Sequence, residues 1–78
     1  MTTRIDTLES LTQAVRGARK QLNLTQPQLA LAAGVGVRFI LDLEAGKPTL
    51  RLENILRVLH ALGGEVRIDG LPALGEGA

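Results

Sequence analysis

Four basic side chains lie in a stretch of the chain that contains no acidic residue. Residues 10–41 include no Asp or Glu, and the basic residues there are Arg16, Arg19, Lys20 and Arg38. Four positive charges and no negative ones give this segment a charge of +4, although the whole chain carries only +1. A segment of one sign can produce a positive potential that attracts phosphate groups. The alternative is a solvated helix face that binds nothing.

The chain offers few residues for enzymatic chemistry. It has a single serine, Ser10, a single histidine, His60, and no cysteine. Asp42 and Glu44 lie two residues apart on a predicted helix, so their carboxylates do not face each other. Nucleophile, general-base and metal sites therefore lack their usual residues. We expect no catalytic site, no metal and no cofactor.

Composition also indicates the cellular compartment of the protein. The absence of cysteine fits a reducing cytoplasm. The N-terminus shows no basic segment followed by an apolar run, and no apolar stretch approaches the roughly 20 residues of a membrane span. We therefore expect a cytoplasmic protein with no membrane partner.

Apolar residues recur at helical spacing through most of the chain. The hydrophobic fraction is 45% and Phe39 is the only aromatic residue, which is typical of an aliphatic core between packed helices. We predict an all-α fold of four to five helices, over about residues 8–22, 26–33, 37–45 and 51–62. The predicted inward-facing residues are Leu8, Leu11, Val15, Ala18, Leu22, Leu29, Ala30, Ala33, Ile40, Leu43, Leu52, Ile55, Leu56, Leu59 and Leu62.

The pattern divides the chain into four parts. These are an N-terminal arm (residues 1–6), a helical domain (7–63), a short strand (64–69) and a mobile, glycine-rich tail (70–78). A domain of this size buries a modest fraction of its surface and is marginally stable alone. Dimerisation would add the missing burial.

The second and third predicted helices are short and closely connected. Thr25 and Gln28 have the spacing of a capping box, and Pro27 is tolerated in the first turn of a helix. Gly34 ends the second helix, and the third begins just after Gly36. Two short helices joined by a three-residue turn with glycine have the spacing of a helix-turn-helix motif.

Residues 24–35, LTQPQLALAAGV, resemble the Cro/phage-repressor (XRE) helix-turn-helix family. The continuation to Thr49, the last helix and the following strand are similar to the HipB-type antitoxin regulators within it, so the resemblance covers about residues 7–69. It implies a transcriptional repressor that binds a specific double-stranded DNA site, and a HipA-type kinase toxin as a protein partner. The alternatives are a stand-alone repressor without a toxin and a protein-interaction module that does not bind DNA.

In this motif the second helix enters the major groove of DNA. Its first turn, from Gly36 and Val37, should approach the base edges. Arg38 is the best candidate to contact a base, because a guanidinium can pair with O6 and N7 of guanine. Val37 and Leu41 could pack on thymine methyl groups. Arg38 could instead contact only phosphate, and Leu41 could instead be buried against the domain or a partner.

A second set of residues is predicted to contact the DNA backbone. Thr25, Gln26 and Gln28 begin the first helix of the motif, where exposed amides attract phosphate; Gln26 should also support the recognition helix. Lys47 and Thr49 lie where the resembled family contacts phosphate. The alternatives are a plain exposed side chain for Gln26 and ordinary turn chemistry for Lys47 and Thr49.

The resemblance also implies an internal ion pair. At the positions of Arg19 and Glu44 the family joins its first helix to the recognition helix, so we assign both residues to architecture. Arg16 and Lys20 then remain for long-range attraction of DNA, which affects association rate more than specificity.

Residues 65–69 alternate polar and apolar side chains, as a β-strand does. Val66, Arg67 and Ile68 form the centre of this segment, and a strand this short needs a partner. We predict antiparallel pairing with the same residues of a second chain; the alternative is pairing with Arg4 and Ile5 of the same chain. A two-fold homodimer would place its recognition helices about 34–36 Å apart and demand a pseudo-palindromic operator.

Overall fold

The computed structural model describes residues 2–72 and contains four helices. They are α1 (Leu8–Gln21), α2 (Gln26–Ala33), α3 (Val37–Glu44) and α4 (Leu52–Ala61). The predicted all-α class is confirmed, and each predicted boundary agrees to within one residue. Residue 1 of the predicted arm and residues 73–78 of the predicted tail lie outside the described residues.

Local hydrogen bonds explain where α1 and α2 begin. The Thr7 hydroxyl accepts from the Ser10 backbone N–H at 3.1 Å, and the Ser10 hydroxyl accepts from the Thr7 N–H at 3.0 Å. Thr25 and Gln28 form the same reciprocal pair, with distances of 3.1 and 2.8 Å. Each pair satisfies amides that the first helical turn leaves without a partner. The Thr25–Gln28 box was predicted, whereas the partnership of Thr7 with Ser10 was not.

The end of α3 is a Schellman turn that depends on Gly46. The Gly46 N–H donates to the Leu43 carbonyl at 3.1 Å, and the Lys47 N–H donates to the Asp42 carbonyl at 3.0 Å. Gly46 has φ = 80°, a left-handed conformation that glycine adopts without steric cost. The turn brings Lys47 back beside the last turn of α3.

The core lies between α2 and the other helices. Helix α2 packs against both α3 and α4, and α1 packs against α3. The buried residues are all apolar and small or aliphatic: Val15, Leu29, Ala30, Ala33, Ile40, Leu43 and Val58. Because α3 has only eight residues, it is too short to be stable alone, and these contacts determine its position.

The predicted inner face of α4 is partly wrong. Leu52 was predicted to face inward, yet it is 67% exposed, whereas Val58, which was not predicted, is fully buried. Apolar residues lie on several sides of α4, so their spacing alone does not select the face that packs. On α1, Leu8 and Leu22 were also predicted inward and are 37% and 51% exposed, because both lie at the ends of the helix.

The predicted C-terminal strand does not form within the described residues. Residues 65–69 have no regular secondary structure, and Val66 and Ile68 are 54% and 70% exposed. Within residues 2–72 no backbone hydrogen bond joins this segment to Arg4 or Ile5. A strand requires a neighbouring strand for its N–H and C=O groups, and residues 2–72 of the single chain supply none. No helix of the described part has the length and apolar character of a membrane crossing.

Candidate nucleic-acid interface

The C-terminal end of α3 is held by side chains from α1 and α2. The Thr12 hydroxyl of α1 donates to the Leu43 carbonyl at 3.0 Å. Glu44, the last residue of α3, accepts hydrogen bonds from Arg19 of α1 and from the Gln26 amide of α2, the latter at 3.2 Å. Side chains from two other helices therefore fix the orientation of α3.

Arg19 and Glu44 form the ion pair that the resemblance implied. Arg19 Nε donates to Glu44 Oε2 at 2.6 Å and Arg19 Nη2 donates to Oε1 at 2.9 Å, while Nη1 donates to the Leu24 carbonyl at 2.9 Å. The two side chains are only 11% and 6% exposed. The hydrogen bond to Glu44 raises the pKa of the Arg19 guanidinium, and burial opposes this effect. The pair also offsets the unfavourable position of a carboxylate at a helix C-terminus.

The outer face of α3 is open to solvent from Val37 to Leu41. Val37 and Leu41 are 43% and 39% exposed, and the Arg38 side chain is 82% exposed. Ile40 and Leu43, on the opposite face, are fully buried. The structure thus brings the three candidate base-contacting side chains to one exposed surface, and Leu41 is not buried against its own domain.

Gly36 precedes α3 without capping it through a side chain. The first amides of α3 therefore have no side-chain partner and carry the positive end of the helix dipole. Such amides can bind an anion such as a phosphate oxygen.

The beginning of α2 lies beside Arg16 of α1. Arg16, Thr25, Gln26 and Pro27 line an open, polar depression on the surface, together with the Arg19–Glu44 pair. Gln28 is exposed, but its side-chain oxygen, Oε1, accepts a hydrogen bond from the Thr25 N–H in the capping box. From the sequence, Arg16 was predicted only to attract DNA at long range, because the sequence does not give the distance between α1 and the start of α2.

Although residues 10–41 contain no acidic residue, the surface around α3 does include a carboxylate. Asp42, one residue beyond that stretch, places Oδ1 3.2 Å from Arg38 Nε and Oδ2 3.6 Å from Lys47 Nζ. Sequence reasoning missed this contact, although the i,i+4 spacing of Arg38 and Asp42 could have indicated it. Thr49 is exposed in the turn after α3 and makes no side-chain hydrogen bond within residues 2–72.

Comparison with known proteins bears on what this surface does. A family model described as helix-turn-helix matches residues 15–68, which is more than half of the chain and includes α2 and α3. The chain belongs to the helix-turn-helix family. The XRE-type assignment made from the sequence is confirmed, whereas the match does not distinguish the HipB branch from other regulators.

A curated relative supports the same family. An uncharacterized HTH-type transcriptional regulator, y4mF, of Sinorhizobium fredii (strain NBRC 101917 / NGR234) is 50% identical over 68 residues. The match covers 87% of this chain and 90% of the relative, so the two proteins correspond over nearly their whole lengths.

Proposed function

We propose that this helix-turn-helix protein is a transcriptional repressor that binds a specific site on double-stranded DNA. The observation that carries the proposal is the placement of α3. Its C-terminal end is held by Thr12, Arg19 and Gln26, while Val37, Arg38 and Leu41 are exposed on its other face. An exposed helix fixed in this way has the form that the major groove accepts.

Within this proposal the exposed residues of α3 recognise base pairs. Arg38 pairs with O6 and N7 of a guanine, and Val37 and Leu41 contact thymine methyl groups. Gly36 allows the first amides of α3 to approach the DNA closely. The exposure of these side chains supports the assignment.

The residues proposed to contact phosphate surround that helix. Thr25 supplies a hydroxyl donor and Gln26 and Gln28 supply side-chain amide donors at the start of α2, and Arg16 adds a positive charge beside them. Lys47 and Thr49 follow α3 and contact the next phosphates along the groove. These contacts fix the position of the protein on the DNA, while the base contacts give specificity.

The proposed repressor acts as a homodimer on a pseudo-palindromic operator. In residues 65–69, Arg67 Nε donates to Glu65 Oε1 at 3.0 Å, a contact between side chains two residues apart, which share one face of an extended chain. Val66 and Ile68 would then lie on the other face, and both are exposed. Pairing of this segment with its copy would bury them.

A finer proposal is that the protein is the antitoxin of a HipA-type kinase toxin. It rests on the resemblance of residues 24–49 and of the last helix to HipB-type regulators. Leu31 and Leu52, which are 84% and 67% exposed, offer apolar surface to a protein partner. A kinase-like gene beside this one, whose product co-purifies with the chain, would support the antitoxin role. A neighbouring kinase-like product that fails to bind the chain would contradict it.

The direct test of DNA recognition is selection from a pool of duplexes with a randomised central region. We expect the full chain to enrich a pseudo-palindromic sequence whose half-sites lie about one helical turn apart. The affinity for the enriched duplex should exceed that for a scrambled duplex by about 10³-fold or more. Equal affinity for both duplexes, or no binding at low salt, would contradict the proposal and favour a protein-interaction module.

A further inference from the structure

Asp42 is an acidic side chain at the proposed DNA-binding surface, and unlike Glu44 it contacts cations that we propose bind DNA. Its two carboxylate oxygens contact different cations, with Oδ1 3.2 Å from Arg38 Nε and Oδ2 3.6 Å from Lys47 Nζ. The Asp42 side chain is 18% exposed, whereas those of Arg38 and Lys47 are 82% and 53% exposed. A largely covered carboxylate thus joins two exposed groups that we propose contact DNA.

Helix stability does not account for this carboxylate. An acidic residue in the last turn of a helix opposes the helix dipole, and so does a basic residue near the start. In this pair the basic residue, Arg38, lies on the N-terminal side of the acidic residue, Asp42. This is the less favourable order for an i,i+4 ion pair in a helix. A purely structural pair would be expected in the reverse order.

The turn after α3 brings the second cation to the same carboxylate. The Lys47 N–H donates to the Asp42 carbonyl at 3.0 Å, and Gly46 adopts the left-handed conformation that this turn requires. The Lys47 side chain therefore begins beside Asp42, and its ammonium group reaches Oδ2.

The contact leaves part of the Arg38 guanidinium available. A guanidinium has five N–H donors, one on Nε and four on the two Nη atoms. Asp42 lies beside Nε, and the two Nη atoms make no hydrogen bond within residues 2–72. Pairing with O6 and N7 of guanine needs two parallel donors on one edge.

We propose that Asp42 is a positioning residue that sets the base specificity of the protein. It holds Nε of Arg38 so that the Nη edge faces a base, and it restrains Arg38 from contacting phosphates at random. The carboxylate also repels the DNA backbone on every sequence, and base contacts outweigh this repulsion on the operator. Asp42 therefore lowers the affinity for non-specific DNA more than the affinity for the operator. This inference rests on the proposed DNA recognition.

The test compares the wild-type chain with Asp42→Asn, a variant of nearly the same shape without the charge. Both proteins are used in selection from the randomised duplex pool, and both are titrated with the wild-type enriched duplex and a scrambled duplex at several salt concentrations. We expect Asp42→Asn to bind the scrambled duplex severalfold more tightly, with a salt slope steeper by about one, because the released Arg38 gains a phosphate contact. The preference for one base pair per half-site should fall about fivefold or more.

Glu53→Gln is the matched control, because it also removes one negative charge but Glu53 forms no ion pair within residues 2–72. It should retain the wild-type base preference. A base preference that falls as much in Glu53→Gln as in Asp42→Asn would overturn the proposal.

The outcomes separate the two proposals. If the wild-type chain enriches a sequence and Asp42→Asn shows the same base preference and salt slope, the role of Asp42 is overturned while DNA recognition stands. If the wild-type chain enriches no sequence, DNA recognition fails and the role of Asp42 fails with it.

Discussion

Arg19 of α1 donates two hydrogen bonds to Glu44, the last residue of α3, at distances of 2.6 and 2.9 Å. Both side chains are nearly buried, and the Gln26 amide of α2 donates to the same carboxylate. Three of the four helices therefore meet at one charged group. This junction fixes the helix that we propose enters the DNA groove.

Loss of one member of this pair should be far more damaging than loss of both. Arg19→Met leaves Glu44 buried without its charge partner, and we expect a loss of about 3–5 kcal/mol in the free energy of unfolding. Denaturant unfolding at a fixed protein concentration measures it. The double variant Arg19→Met/Glu44→Met should recover most of that loss. If the loss in the double variant equals the sum of the losses in the two single variants, the residues do not act as a pair.

Two glycine substitutions should change stability in opposite directions. Gly17 lies inside α1, and a Cβ there would meet no atom within 4 Å, so Gly17→Ala should stabilise the protein by about 0.5–1 kcal/mol. Gly46 has φ = 80°, so Gly46→Ala should cost roughly 1–2 kcal/mol. Thermal or denaturant unfolding measures both. Stabilisation by Gly46→Ala would contradict the turn described after α3.

Lys47→Ala should weaken binding to all DNA sequences by a similar factor. If Lys47 contacts a phosphate, its loss reduces the salt slope of the binding constant by about one. Titrations of a scrambled duplex at several salt concentrations give this slope. Lys20→Ala removes the same charge from α1 and should leave the slope nearly unchanged, because Lys20 lies outside the proposed phosphate contacts. An unchanged slope in Lys47→Ala would exclude its contact.

Deletion of residues 65–78 should convert the protein to a monomer. The proposed interface pairs residues 65–69 with the same residues of a second chain, and the deletion removes both strands. Sedimentation velocity over a range of concentrations measures the oligomeric state. A chain that lacks only residues 73–78 is the control and should remain dimeric. A dimer that persists without residues 65–78 would place the interface on the helices instead.

Much of the fold could be predicted from the sequence, because helix ends depend on local chemistry. Thr7 and Thr25 accept hydrogen bonds from amides three residues away, and Gly34 and Gly46 stop their helices through their own backbone conformation. Such signals need no knowledge of the tertiary structure. The packed face of α4 was less predictable, since apolar residues lie on several sides of that helix.

The candidate site was only partly visible in the sequence. The exposed face of α3 follows from the burial of Ile40 and Leu43, which helical spacing predicts. The charge of this surface cannot be predicted from the acid-free residues 10–41 alone. Asp42 lies one residue beyond that stretch and still contacts Arg38. The contact of Lys47 with the same carboxylate depends on the path of the turn at Gly46.

Arg38 on α3 is the residue that we propose contacts a base of double-stranded DNA. The most direct measurement is the affinity of Arg38→Ala for the enriched duplex and for a scrambled duplex, with Arg57→Ala on α4 as the control. We predict a loss of about 1–3 kcal/mol on the enriched duplex only, with relaxed preference at one base pair per half-site. Equal loss on both duplexes would show that Arg38 contacts only phosphate and does not read a base.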